Sequence, residues 1–255
     1  MKLNEYIKNR LEKKNILLMT HLVMGYPSFA SNREVIRQMV EAGVDIIEMQ
    51  IPFSEPIADG PVILKANQDS IAAGTKVDEC FAFAAEITAA YPIPFLFMTY
   101  YNILFRRGVE NFSKKAKETG MRGLIVPDLP PEEGGEYLAA CEKNHLAPIQ
   151  IFAPTSTLKR MRFLSGKGAG FIYCVARRGV TGKKTDFDPV FESYMARCRK
   201  ATELPLAVGF GISGRDDVAY LEGKADIAVI GTRTIRLVEE EGEKAVGGFI
   251  RGLRE

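Results

Sequence analysis

The chain has 255 residues, 46% of them hydrophobic and 26% charged, an ordinary globular composition. That length is enough for one α/β barrel and buries roughly 70% or more of the unfolded surface, so no disulfide or metal is needed to hold it. A balance of 34 Lys and Arg against 32 Asp and Glu leaves +2 with no long basic run, which argues against a nucleic-acid binder. The cysteines Cys80, Cys141, Cys174 and Cys198 are widely spaced, form no CxxC pair and read as small hydrophobes of a reducing compartment. The two histidines, His21 and His145, have no neighbours at zinc-ligand spacing. The start, MKLNEYIKNRLEKKN, is charged throughout and no apolar run is long enough to span a bilayer, so the expectation is a soluble, cytoplasmic protein with no membrane partner.

In chain order, Leu3, Tyr6, Ile7 and Leu11 share one helical face and predict a short helix ahead of the repeating part of the fold. A β-type run follows from Ile16 to Met24 and ends at Gly25-Tyr26-Pro27. Ser31-Asn32-Arg33-Glu34 has the capping-box pattern, with Val35, Ile36, Met39 and Val40 at helical spacing behind it and Gly43 as a stop. Further β-type runs are predicted at Ile46–Ile51, Phe95–Tyr100, Gly123–Val126, Ile149–Ala153, Phe171–Ala176, Leu206–Phe210 and Ile227–Ile230. Helix-like stretches such as Val77–Ala90, Val109–Thr119, Pro131–Asn144 and Pro189–Ala201 lie between them.

Strands this uniformly apolar are buried on both faces, as in a parallel sheet. Eight of them alternating with helices, without a linker, predict one (β/α)8 barrel domain over residues 1–255 with an extra N-terminal helix. Alternation alone does not show closure, so an open doubly wound sheet is the alternative. The lack of a GxGxxG after the first strand weighs against its dinucleotide-binding form.

Active sites of such barrels lie at the C-terminal ends of the strands. In Ile46-Ile47-Glu48-Met49-Gln50-Ile51 the period of two puts Ile47 and Met49 under the helices, so Glu48 and Gln50 face the barrel mouth. A carboxylate there is either held in an internal ion pair or used for acid–base work. Asp59 lies in a Pro- and Gly-rich loop, where Asp-Gly by itself reads as a turn. After the sixth strand, Arg177-Arg178-Gly179-Val180-Thr181-Gly182-Lys183-Lys184 reads as a mobile loop over an anionic ligand or as a solvated basic loop. Gly209-Phe210-Gly211 and Gly231-Thr232 place glycines after strands seven and eight, where these barrels commonly hold phosphate. The residues by themselves point to an enzyme acting on a phosphorylated small molecule. No strand ends in a Lys, which disfavours Schiff-base chemistry.

These segments together resemble the alpha subunit of tryptophan synthase. The most specific piece is Ile51-Pro52-Phe53-Ser54-Glu55-Pro56-Ile57-Ala58-Asp59-Gly60-Pro61. It is backed by Met98-Thr99-Tyr100-Tyr101-Asn102, Pro127-Asp128-Leu129-Pro130, Ala153-Pro154-Thr155-Ser156-Thr157, Gly179-Val180-Thr181-Gly182 and Gly209-Phe210-Gly211-Ile212-Ser213, in the family's order. The resemblance implies cleavage of indole-3-glycerol phosphate to indole and glyceraldehyde 3-phosphate, with Glu48 and Asp59 as catalytic residues. It further implies substrate contacts from Tyr173, Arg177, Thr181, Gly182, Gly211, Gly231 and Thr232. No cofactor is implied for this chain. A beta subunit carrying pyridoxal phosphate is the implied partner, in an alpha2beta2-type complex.

Five positions depart from the family's pattern. Gln50 replaces a Gly beside the catalytic Glu, and His21 stands where an aromatic usually faces the indole. Glu55 replaces an Asp of the loop facing the beta subunit, and Thr232-Arg233 replaces Ser-Ala, which predicts an added cation near the phosphate. A related barrel enzyme on another phosphorylated substrate, or a mainly regulatory partner of a beta-type subunit, are the competing readings. Retention of both carboxylates argues against the last.

Overall fold

The structure, a computed structural model, describes residues 2–175, 189–209 and 211–254. Eight parallel strands close into a barrel in sequence order. The strands are β1 (Leu17–Val23), β2 (Ile46–Gln50), β3 (Phe95–Met98), β4 (Gly123–Ile125), β5 (Ala147–Phe152), β6 (Ile172–Val175), β7 (Leu206–Gly209) and β8 (Ile227–Ile230). The helices are α1 (Leu3–Leu11), α2 (Phe29–Glu41), α3 (Pro61–Ala72), α4 (Val77–Ala90), α5 (Tyr101–Arg107) and α6 (Val109–Glu118) in the first half. In the second half they are α7 (Gly135–Lys143), α8 (Leu158–Ser165), α9 (Pro189–Ala201), α10 (Arg215–Leu221), α11 (Thr232–Glu241) and α12 (Ala245–Gly252). The pairing of β1 with β8 excludes the open sheet. None of the described helices is long and apolar enough to cross a membrane.

Each strand sorts its residues by parity. Leu17, Met19, Ile46, Leu96, Ile125 and Ile227 fill the barrel interior, and the register stacks them, with Met19 opposite Ile46 and Leu17 opposite Ile227. Leu18, Ile47, Met49, Phe97 and Leu124 face outward into a second apolar layer under the helices. The predicted N-terminal helix, α1, closes the barrel floor by adding Leu3 and Ile7 to the interior cluster. Asp45, fully buried just ahead of β2, anchors the same end: Arg10 Nη2 and Lys14 Nζ reach its Oδ1 at 2.7 and 2.6 Å, and Arg254 Nη2 reaches Oδ2 at 2.6 Å. Both chain ends are thereby tied to the sheet.

Two helix starts differ from the sequence reading by three or four residues. The cap of α2 is Ser28, whose side chain accepts a hydrogen bond from Ser31 N at 3.1 Å; Ser31 itself is inside the helix. The earlier start lets Phe29 pack against Phe83, ring centroids 5.1 Å apart. It also buries Asn32, which takes a hydrogen bond from Gly25 N and donates to Tyr26 O, fixing the loop after β1. These tertiary contacts outweigh the local capping-box pattern. Helix α7 begins at Gly135, because residues 131–134 form turns after Pro130 and Pro131. Gly43 does end α2, at φ +85°, where a side chain would be strained.

Candidate active site

Strand β2 carries Glu48 and Gln50 on the barrel side, while Ile47 and Met49 pack outward. Register places His21 of β1 directly beside Glu48, and His21 Nδ1 lies 2.8 Å from Glu48 Oε1. Both residues are only 4% exposed. Two residues further along β2, Gln50 Nε2 donates to Asp59 Oδ2 at 2.7 Å. Asp59 follows a turn closed by its own N–H to Pro56 O, and it precedes Gly60, the N-cap of α3. The turn is centred on Ile57-Ala58, ahead of the Asp59-Gly60 pair on which the sequence predicts it, and it delivers the Asp59 carboxylate to the barrel mouth. Tyr100, at the end of β3, donates its hydroxyl to the same Oδ2 at 3.1 Å and accepts from Ala58 N.

His21, Glu48 and Asp59 line one cavity of about 170 Å³, with Met98, Ile125, Ile151 and Tyr173 forming its apolar wall. Gly209 and Gly231, at the ends of β7 and β8, complete the rim. A Cβ on Gly209 would stand 3.1 Å from the Tyr173 hydroxyl, closer than ordinary contact, so glycine there leaves room for the ring. Burial raises the Tyr173 pKa well above its ordinary value, and the charges of Glu48 and Asp59 add to the shift, so the phenol stays neutral. Burial also raises the Asp59 pKa, against the opposing pull of the Gln50 hydrogen bond, the His21 charge and the Tyr100 hydroxyl. For His21, burial acts downward, yet the charge and hydrogen bond of Glu48 outweigh it and the pKa ends above the ordinary value. The cavity wall thus carries a buried imidazole hydrogen-bonded to one carboxylate and within the field of a second.

At the other side of the mouth, Gly231 caps α11 without a side-chain partner, and Thr232 opens that helix. Its first-turn N–H groups are an anion-binding end. The neighbouring helix α10 is different: Asp217 Oδ2 already accepts from Ser213 N, Ser213 Oγ and Gly214 N. Gly211 lies between β7 and α10 at φ +67°, with open space where a Cβ would be. Thr181 and Gly182, together with Arg177 and the basic loop that holds them, lie outside the described residues. Arg233, expected to add a cation near the phosphate, is turned along its own helix. Its guanidinium pairs with Glu240 at 3.1 Å, about two helical turns along α11, and lies over the Phe249 ring. Extension along the helix lets a long side chain find both an acidic and an aromatic partner.

Gln50 and His21 are the two departures from the family's pattern that lie on the barrel side of β2 and β1. In the structure Gln50 holds Asp59, and His21 is hydrogen-bonded to Glu48 within the cavity wall. Tyr100 was quoted within a motif, without a role of its own. Its polar hydroxyl at a strand end was the available signal, but the partner is distant in sequence.

Comparison with known proteins agrees with this geometry. Residues 7–251 match the family model described as tryptophan synthase alpha chain. The tryptophan synthase alpha chain of Desulfotalea psychrophila is 63% identical over 254 residues, covering 100% of both chains. That of Methanosarcina mazei is 39% identical over 94% of this chain and 87% of its own. Among solved structures, tryptophan synthase from M. tuberculosis in an aminoacrylate-bound form superposes with a TM-score of 0.90 at 28% identity, covering 99% of this chain and 98% of that one. A chain of the tryptophan synthase a2b2 complex from Pyrococcus furiosus gives 0.87 at 29% identity, over 93% and 97%. With matching sequence along nearly its whole length and a matching barrel, this chain belongs to the tryptophan synthase alpha chain family.

Proposed function

We propose that Glu48 and Asp59 perform the family's reaction here, the retro-aldol cleavage of indole-3-glycerol phosphate to indole and glyceraldehyde 3-phosphate in tryptophan biosynthesis. The observation that carries the assignment is that the two carboxylates, from a strand and from the loop after it, converge on one cavity at the strands' C-terminal ends. Glu48 protonates indole C3, so the ring takes up positive charge. Asp59 accepts a hydrogen bond from the indole N–H and stabilises that charge. The proton of the glycerol hydroxyl next to the breaking bond is then taken by Glu48. The C–C electron pair returns to the ring as the carbonyl of glyceraldehyde 3-phosphate forms. One carboxyl thus gives one proton and regains one, and no net proton is consumed.

The phosphate of the substrate is assigned to the N-terminal end of α11, at Gly231 and Thr232, with Gly211 opposite. The uncapped first turn of α11 supports this, since α10 is already satisfied by Asp217. Tyr173 and the apolar wall hold the indole. Thr181 and Gly182 belong to the same assignment through the family's pattern. The reaction needs no cofactor on this chain. A beta-type subunit carrying pyridoxal phosphate is the partner, docking on the face with Pro52, Phe53, Glu55 and Pro56, where Glu55 and Ile57 are exposed. A turnover assay with indole-3-glycerol phosphate, with and without a beta subunit, tests the reading: indole must form, faster in the complex. Absence of indole in both would favour another phosphorylated substrate.

A further inference from the structure

Two polar side chains stand beside the carboxylates without being carboxylates themselves, and their geometry is unequal in a useful way. Glu48 Oε1 is occupied by His21 Nδ1, while Glu48 Oε2 and His21 Nε2 are buried and have no hydrogen-bond partner among the described residues. Leaving a buried polar atom unpaired costs about 1–3 kcal/mol, so an arrangement that does so twice at a cavity wall is set up for something that enters the cavity. The His21 backbone is held as well, since Thr234 Oγ1 on α11 donates to His21 O at 3.3 Å and β1 pairs His21 with Glu48 in register.

Taking Glu48 as the proton carrier of the proposed function, we infer that His21 is a positioning residue for the cleavage. Its Nδ1 grips Glu48 Oε1, so that Oε2 alone is presented to the substrate, and its charged form offsets one of the two buried negative charges. The ionisable groups facing His21 are Glu48 of β2, Asp59 of the following loop and Tyr173 of β6. Tyr26, after β1, also borders the ring but directs its hydroxyl to Glu239, and α11 presents the neutral Thr234. Among the described residues every charge near the ring is therefore negative, and the raised His21 pKa is consistent with that surrounding. A neutral His21 still donates from Nδ1 and orients Glu48. A protonated one also lowers the Asp59 pKa through its charge.

The test separates orientation from charge. In the full chain, with and without a beta-type subunit, His21→Phe should lower kcat about ten- to hundredfold with KM little changed, as for other residues that orient a reacting group. It should also move the acid limb of the pH–kcat profile upward, because the cation that lowers the Asp59 pKa is gone. His21→Asn, which can still donate to Oε1, should recover most of kcat but leave the acid limb displaced. Independently of activity, the chain has only two histidines, so the imidazole of His21 can be followed by NMR beside exposed His145. Glu48→Gln should lower the His21 titration midpoint. Unchanged kcat and pH profile in His21→Phe, or an unmoved His21 midpoint in Glu48→Gln, overturns the inference. Should Glu48→Gln keep full turnover, it is the proposed function that fails, while the NMR midpoint still decides whether the pair exists. The same NMR measurement decides if His21→Phe does not fold.

Discussion

Phe53 stacks on Tyr100, ring centroids 4.9 Å apart and planes inclined by 18°, and the Tyr100 hydroxyl donates to Asp59. The rim segment after β2 and the Asp59 carboxylate are therefore joined through a single ring. Tyr100→Phe keeps the stack and removes the hydroxyl, so Asp59 Oδ2 retains only Gln50, and Ala58 N loses its acceptor. The expected outcome is a loss of about 1 kcal/mol in stability by denaturant unfolding and a several-fold lower kcat.

Glu48→Gln and Asp59→Asn should each lower kcat by about 10²–10⁴-fold without unfolding the barrel, the usual contribution of a positioned acid–base group. Steady-state kinetics alongside circular dichroism checks both halves of the statement. Because the Asp59 pKa is raised by burial, the anion that accepts the indole N–H is lost on acidification at a higher pH than for a free carboxylate. Wild-type kcat should therefore fall on the acid side while the fold persists, and Asp59→Asn should lack that component.

Thr232→Asp places a fixed negative charge on the first turn of α11. If the substrate phosphate docks there, KM for indole-3-glycerol phosphate should rise at least about tenfold, with a smaller change in kcat, since the lost contact is made equally in ground and transition states. An unchanged KM would relocate the phosphate.

Asp45 concerns stability alone. Its pKa is lowered: burial acts to raise it, and the Lys14 and Arg10 contacts with the Leu18 N–H overcome that. A carboxyl depressed on folding stabilises the native state above its unfolded pKa, about 3.9, and that contribution is lost as pH falls through the lower folded value. Asp45→Ala leaves three cations that are each partly in water, so the cost should be about 2–3 kcal/mol at neutral pH, less than for a fully buried partner. The wild-type advantage over Asp45→Ala should shrink in acid, which parallel denaturant titrations at pH 7 and pH 3 would reveal.

Charge reversal at Glu55 addresses the partner. Glu55→Lys should weaken binding of a beta-type subunit by about 1–3 kcal/mol in titration calorimetry, while turnover by the isolated chain changes little. Equal affinities would move the interface elsewhere, and no binding by either form would favour a stand-alone enzyme.

The barrel was legible in the sequence because its information is local. Runs such as Ile46–Gln50 and Ile227–Ile230 have the apolar continuity of a doubly buried strand, and a period of two assigns Glu48 and Gln50 to one face and Ile47 and Met49 to the other. Glu48 could be singled out by its face, whereas Asp59, whose Asp-Gly pair by itself reads as a turn, was marked only by the resemblance of its loop to the family's. The partners of those residues could not. Side-chain parity says which way His21 points but not how far β1 is staggered against β2, and only that stagger sets His21 beside Glu48. Gln50 meets Asp59 because a turn brings the loop back over the strand end, and Arg233 runs to Glu240 and Phe249 because α12 packs against α11. Ser28 displaced Ser31 as a cap for a similar reason, since Phe83 and the loop after β1 reward the earlier start. Composition and periodicity determined the fold class and the faces; sheet register and helix docking, which depend on contacts between distant segments, decided which polar atoms meet.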